Sequence, residues 1–205
     1  ENYKCIIWDF DGVIINSDKT RELGFTKVLE NFPKEKVNLL LNYHRKNGGL
    51  SRYNKFRYFY EEILNDNITI SQINNLSKSF SEIMLKRLTD KSLLIEDSIK
   101  FINDNHKKYQ MHIASGSDHK ELNFLCNELN ISKYFKNING SPKSKNEIVK
   151  EIVQKEKFIL KDFVLIGDSR NDFEAADINN IDFFGYNNIE LLEIYQRDYI
   201  KSFLK

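Results

Sequence analysis

Two pairs of aspartates stand where short apolar runs stop. Asp9 and Asp11 follow the run at 3–8, flanking Phe10 and followed by Gly12. Asp168 and Asp172 follow the run at 163–166, in the stretch Gly167-Asp168-Ser169-Arg170-Asn171-Asp172. Apolar runs with a polar or glycine stop read as buried strands. In open parallel sheets, ligands bind in the crevice beyond the carboxyl ends of the strands. Four carboxylates gathered at one such edge would repel one another in a partly desolvated crevice. A bound hard cation resolves that conflict, and magnesium takes oxygen ligands from carboxylates and phosphates. Within the first pair, one carboxylate can attack phosphorus while the other moves a proton. Gly12 then allows the backbone an unusual turn. The plainer reading of Asp9 and Asp11 is that they end a strand and cap a turn; that pair alone does not decide between the two.

Other residues join the pattern. Ser115-Gly116 follows the run at 111–114. A serine hydroxyl and an unobstructed glycine N–H both suit phosphate oxygens. Lys143 and Lys145 come just after Ser141-Pro142, at the start of a helical pattern. A lysine there can neutralise charge on a phosphate and on its attacking group, although any single lysine in so lysine-rich a chain is ordinarily a solvated one.

The elements that would position these groups alternate. Runs at 3–8, 111–114, 163–166 and 181–184 are apolar on both faces, as strands of a buried parallel sheet are. Helical patterns at 95–109, 120–129, 145–155 and 172–178 separate them. Alternation of this kind implies right-handed crossovers and a three-layer α/β core with a Rossmann-like parallel sheet. The stretch 16–93 differs and holds no convincing strand. Phe25, Val28, Leu29 and Phe32 recur at helical spacing. So do Val37, Leu40, Leu41 and His44; Phe56, Phe59, Tyr60, Ile63 and Leu64; and Ile73, Leu76, Phe80, Ile83 and Met84. Four inserted amphipathic helices, 16–93, are therefore expected to form a small domain beside a core made of 1–15 and 94–205.

Bulk properties narrow the function classes. Hydrophobic residues make up 40% and charged residues 30% of the 205, enough for a buried core and too apolar for compositional disorder. With 31 basic and 30 acidic side chains, no global attraction to nucleic acid or an anionic membrane is expected. No apolar stretch is long enough to span a bilayer, and no signal-peptide pattern opens the chain. Cys5 and Cys126 give no disulfide framework, so a reducing, cytoplasmic setting is the expectation. The four histidines have no metal-ligand spacing supported by cysteines, so zinc is not expected. A monomer is the default expectation.

Taken together, the segments WDFDGVIINSD, ASGSD, SPKSKNEIV and LIGDSRNDFEAA, in that order, resemble the four motifs of the haloacid dehalogenase-like hydrolase superfamily. The branch with a helical cap of the first type, phosphoglycolate phosphatase and beta-phosphoglucomutase-like, is the most similar. The resemblance implies a Mg2+-dependent phosphatase acting on a small phosphorylated metabolite, such as a sugar phosphate. Asp9 would be the nucleophile that forms an aspartyl-phosphate. Asp11 would protonate the leaving group and then activate water. Ser115 and the Gly116 amide would hold the phosphoryl group. Asp9, the Asp11 backbone carbonyl, Asp168 and Asp172 would bind the metal, and Lys145, rather than Lys143, is the favoured lysine. The insert would be the cap that closes over the site.

Within the insert, Gly48-Gly49-Leu50-Ser51-Arg52 resembles the specificity loop of the beta-phosphoglucomutase branch, where an arginine grips a distal anion. Ser51 is a plausible N-cap, and Arg52 and Lys55 would share one helix face. The alternative is a solvated basic face with Arg45, Lys46 and Arg57. A sugar phosphomutase is the second functional reading. However, that branch has a histidine ten residues after its second aspartate, where Arg21 stands here. Its fourth motif also tends to carry adjacent Glu-Asp, where Gly167 precedes Asp168. A non-catalytic binding protein on the same fold is the third reading.

Overall fold

A computed structural model describes residues 3–194 and 198–204. Six parallel strands form one sheet: β1 (Cys5–Trp8), β2 (Gln110–Asp118), β3 (Asn137–Ser141), β4 (Phe163–Gly167), β5 (Asp182–Tyr186) and β6 (Tyr199–Ile200). Their spatial order is β3-β2-β1-β4-β5-β6. Alternate residues of β1 face opposite sides. Ile6 and Trp8 join Met111, Ile113, Val164 and Ile166 on one face. Cys5 and Ile7 join Ala114, Phe163, Leu165 and Phe183 on the other. Burial on both faces explains why these runs lack a polar alternation.

The nine α-helices among the described residues are α1 (Asp18–Val28), α2 (Lys34–Lys46), α3 (Arg52–Tyr58), α4 (Ile70–Arg87), α5 (Glu96–Asn105), α6 (His119–Glu128), α7 (Lys145–Lys155), α8 (Arg170–Ile178) and α9 (Ile189–Ile194). Apolar residues of α5 and α6 pack on the first face, and those of α7, α8 and α9 on the second. The result is the expected three-layer arrangement. Helices α1 to α4 all lie between β1 and α5 in the chain, and Phe25, Leu40, Phe56, Phe59 and Phe80 form their buried centre. The chain enters and leaves this insert along paired segments. Asn16 N–H donates to the Leu93 carbonyl at 2.8 Å, and Ile95 N–H to that of Ile14 at 2.9 Å.

Differences from the sequence reading have local causes. β3 (Asn-Ile-Asn-Gly-Ser) is too polar to read as a buried strand, and β6 is only two residues long. The third insert helix continues beyond α3 as a π-helix, Phe59–Leu64. α5 stops at Asn105, short of the expected 109.

Candidate active site

Strand register sets the site. Trp8 pairs with Ile113 of β2 and with Ile166 of β4, so three strands reach the same level. Asp9, Ser115 and Asp168 therefore emerge side by side from β1, β2 and β4. Asp172 arrives from the first turn of α8. Its Oδ2 accepts from the Ser169 N–H at 3.0 Å and the Ser169 hydroxyl at 2.6 Å, completing a capping box. The helix start thus fixes the side chain and leaves Oδ1 facing the strand ends.

One carboxylate oxygen from each of Asp9, Asp168 and Asp172 falls in a group whose members all lie within 4.8 Å of one another. The ammonium of Lys145 lies 2.9 Å from Asp9 Oδ1 and also bonds Asp172 Oδ1. Burial works against a charge on Lys145, but Asp172 and Asp9 outweigh it and hold the lysine protonated. One ammonium does not balance three carboxylates. Burial, then the charge of Asp172, raises Asp9 to about 7 despite Lys145. Asp168 is pushed well above the ordinary carboxylate range by burial and then by Asp9 and Asp172. The space beside Asp168 depends on Gly12, at φ +77°, where a Cβ would lie 2.0 Å from Asp168 Oδ2. An oxygen-only donor set with unbalanced negative charge fits a hard divalent cation such as magnesium.

Asp11 lines the same cavity but belongs to a different network. Its carboxylate accepts from Arg21 Nε at 3.0 Å and Nη2 at 3.3 Å. The hydroxyls of Ser17 and Ser117 each donate to it at 2.5 Å. Burial disfavours its ionised form, yet Arg21 and these hydroxyls overcome that and hold it at about 2. Its side chain is not among the clustered metal-ligating oxygens.

Ser115 is buried, and its Oγ accepts the Ser117 N–H at 3.1 Å, which leaves its O–H available to the cavity. Gly116 lies directly under the insert: a Cβ there would meet the Gly49 carbonyl oxygen at 2.1 Å. Gly49, at φ +74°, comes close to Lys145 and Ser169, and Asn171 Nδ2 donates to the Gly48 carbonyl at 2.5 Å. The Gly48-Gly49 loop thus lies flat on the strand ends and leaves a cavity of about 70 Å³.

Arg52 and Lys55 are buried, at 4% and 3% exposure, which overturns the solvated-face alternative for both. Arg57 stays exposed, and the exposed Arg45 pairs with Glu22 at 2.6 Å. Ser51 caps α3 by accepting from Asn54 N–H at 3.4 Å, and both cations of this helix are buried. Their surroundings differ. Arg52 Nη1 pairs with Glu121 Oε2 at 2.7 Å and donates to Ser81 Oγ at 2.7 Å, and its guanidinium lies over the Phe80 ring at 4.6 Å. Lys55 Nζ meets His44 Nδ1 at 2.8 Å and has no carboxylate in ion-pair range among the described residues. Burial lowers Lys55 to about 7 and His44 to about 3. Of the two lysines left open by the sequence, Lys143 pairs instead with exposed Glu151 at 2.5 Å.

Residues to which the sequence pattern assigns no site role complete the cavity wall: Asp18, Phe25, His44 and Ser117. Arg21 stands out in the sequence only for its offset from Asp11. Glu121, from α6, joins it from behind: Arg21 Nη1 lies 2.5 Å from Glu121 Oε1. Nothing in the local pattern of α6 marks Glu121, because its partners Arg21 and Arg52 lie 100 and 69 residues away along the chain.

Comparison with known proteins agrees with this geometry. No curated protein matches the chain. Solved structures share its fold at low identity. Beta-phosphoglucomutase from Clostridium difficile aligns at TM-score 0.78 and 17% identity, over 99% of this chain and 93% of that one. A predicted phosphoglycolate phosphatase from Haemophilus somnus aligns at TM-score 0.77 and 17% identity, over 99% and 96%. A HAD-hydrolase from Bacillus subtilis, bound to magnesium, aligns at TM-score 0.66 and 14% identity, over 96% and 100%. The haloacid dehalogenase-like hydrolase family model matches residues 6–186, and the chain belongs to that family.

Proposed function

We propose that the chain is a Mg2+-dependent phosphatase that hydrolyses a small phosphorylated metabolite through an aspartyl-phosphate on Asp9. The observation that carries the reading is the set Asp9, Asp168 and Asp172 around one point, with Lys145 bonded to Asp9. Bound magnesium would supply charge neutralisation at the phosphoryl oxygens, held by Asp9, Asp168 and the Asp11 carbonyl, with Asp172 beside them. Lys145 keeps Asp9 oriented and offsets its charge. An Asp9 oxygen attacks phosphorus, and the bond to the ester oxygen breaks. Asp11 gives that oxygen a proton, then takes one from the water that cleaves the acyl phosphate. The Ser115 hydroxyl and Gly116 amide hold the transferring group in line. The insert, residues 16–93, acts as the cap, with 1–15 and 94–205 as the core. A cavity of about 70 Å³ is far below the few hundred expected of a metabolite site, so the Gly48-Gly49 loop lifts to admit substrate.

The test is phosphate release from an aryl phosphate by the purified chain. Magnesium should be required, chelator should abolish turnover, and Asp9→Asn should abolish it while circular dichroism stays unchanged. Near-normal turnover by folded Asp9→Asn would rule the mechanism out.

A further inference from the structure

The edge of the sheet opposite the carboxylates carries a groove of the reverse charge. It has a volume of about 580 Å³ and lies where β1, β2 and β3 begin, with Lys4 before β1, Gln110 opening β2 and Lys136 just before β3. The parallel strands put their carboxyl ends, with Asp9 and Asp168, at the other edge. At about 3.3 Å per residue, Lys4 stands about 16 Å from Asp9. A small ester bound at Asp9 does not reach this groove. Five lysines and a histidine line it, Lys4, Lys107, Lys108, Lys133, Lys136 and His106, and no aspartate or glutamate among the described residues does. Two of the lysines are balanced from behind the wall: Lys4 pairs with Asp162 at 3.0 Å and Lys136 with Glu156 at 2.9 Å. Lys107, Lys108 and Lys133 are exposed and have no carboxylate within ion-pair range among the described residues. The chain as a whole is nearly neutral, with 31 basic and 30 acidic side chains, so this surplus is local.

An ordinary solvated lysine surface leaves each side chain its own freedom. Here the cations are tethered. Lys108 Nζ lies over the Tyr109 ring at 4.8 Å, and Lys133 Nζ over the Tyr134 ring at 5.2 Å. The same Lys-Tyr pair thus recurs in two loops, one after α5 and one before β3. The loops are tied together: the Tyr134 hydroxyl donates to Asn103 Oδ1 at 2.9 Å, and the Tyr134 ring packs on that of His106 at 4.9 Å. Like charges held near one another repel, and a multiply charged anion among them relieves that repulsion while losing little to side-chain ordering. The rings serve the lysines, so charge is what the groove offers a ligand.

We propose that this groove is a second anion site, for a small polyanion with closely spaced charges such as a short phosphate chain. Such a chain carries enough charge to meet all three unpaired ammonium groups at once, which a single phosphate does not. The site is separate from the catalytic cavity and does not depend on the phosphatase reading.

The experiment is calorimetric titration of the full chain with inorganic tripolyphosphate, without magnesium. Wild type should bind it more tightly than inorganic phosphate, and less tightly as salt is raised. Lys108→Glu combined with Lys133→Glu should weaken binding by about tenfold or more, with aryl phosphate hydrolysis unchanged. Binding that is absent in wild type, or that the double variant retains in full, overturns the proposal; in the second case the ion sits elsewhere, the Asp9 cavity included. A single-stranded oligonucleotide supplies the competing source of closely spaced phosphates. If wild type binds it more tightly than tripolyphosphate, and the same substitutions remove that binding, the groove is a nucleic-acid surface and the small-polyanion assignment falls. Were the double glutamate variant not to fold, Lys108→Gln with Lys133→Gln removes the charges without adding any, and the same outcomes decide. Absence of ester hydrolysis in wild type would remove the phosphatase reading and leave the tripolyphosphate result untouched.

Discussion

Arg21 clamps both carboxylate oxygens of Asp11, with Nε 3.0 Å from Oδ1 and Nη2 3.3 Å from Oδ2. In this arrangement Asp11 is held ionised, at about 2, and can accept a proton but has none to give. For Asp11 to donate to a leaving group, as proposed, the Arg21 clamp must first loosen. An aryl leaving group departs without a proton and an alkyl one does not. Asp11→Asn is therefore expected to lower kcat on an alkyl phosphate by about 10²–10⁴, with a much smaller loss on an aryl phosphate. Parallel assays on the two esters measure this. Equal losses would mean that Asp11 orients other groups and moves no proton.

The same clamp makes a stability prediction. Arg21 faces two carboxylates, and Glu121 is buried at its other end. Arg21→Met leaves that negative charge shared with Arg52 alone. Removing one partner of a buried pair costs about 3–5 kcal/mol. Urea unfolding should show a loss of this order, and adding Glu121→Gln should recover part of it. If the double variant is no more stable than Arg21→Met, the two side chains are not coupled.

Metal binding should be visible in thermal stability and should depend on pH in a definite direction. Asp9 sits at about 7 in the folded chain, and Asp168 is raised as well, against about 3.9 for an unstructured aspartate. Between those values the folded state keeps protons that the unfolded state has lost. The contribution is present below about 4 and disappears as pH rises through 7. Without metal the cluster is thus at its least favourable near and above neutrality, where magnesium has no protons to displace. Differential scanning of metal-free protein should give a larger magnesium-induced rise in Tm at pH 8 than at pH 5. Asp168→Asn should abolish the difference. A rise of equal size at both pH values would argue that the ion binds elsewhere.

The carboxylate cluster was more legible than the cavity wall lined by Arg52 and Lys55, and the reason is physical. Asp9, Ser115, Lys145, Asp168 and Asp172 each sit at or near the end of an apolar run or the start of a periodic helix, so short-range pattern fixes where they emerge. β3 and β6 escaped because an Asn-Ile-Asn-Gly-Ser edge and a two-residue strand carry no apolar signal. Arg52 and Lys55 showed their shared face through α3 spacing, but spacing does not say what lies opposite. Glu121 contacts residues from two distant helices, α1 and α3, and only the folded chain brings them together. His44 looked like one more member of an apolar stripe; its ring does pack on Phe25 at 5.0 Å, yet its other edge meets Lys55.

Lys55 is a buried cation for which the fold provides no carboxylate within ion-pair range among the described residues, and that has a measurable cost. Its partner His44 is held neutral, so the contact is a single hydrogen bond without charge compensation. Burial brings Lys55 down to about 7 from the ordinary 10.4 or so. Between those values the unfolded chain binds a proton that the folded chain does not, so stability rises with pH across the window and the penalty is largest near 7 and below. Every tenfold loss of proton affinity on folding corresponds to about 1.4 kcal/mol. Lys55→Met should therefore raise the unfolding free energy of the metal-free protein at pH 7, with the gain narrowing toward pH 10. The same change removes a cationic side chain from the cavity wall, so KM for a phosphate ester should rise even as stability improves. Urea unfolding at several pH values, together with steady-state kinetics, separates the two effects. A variant less stable at pH 7, with a gap independent of pH, would mean that Lys55 is compensated in the folded chain by an acid that this arrangement does not place beside it.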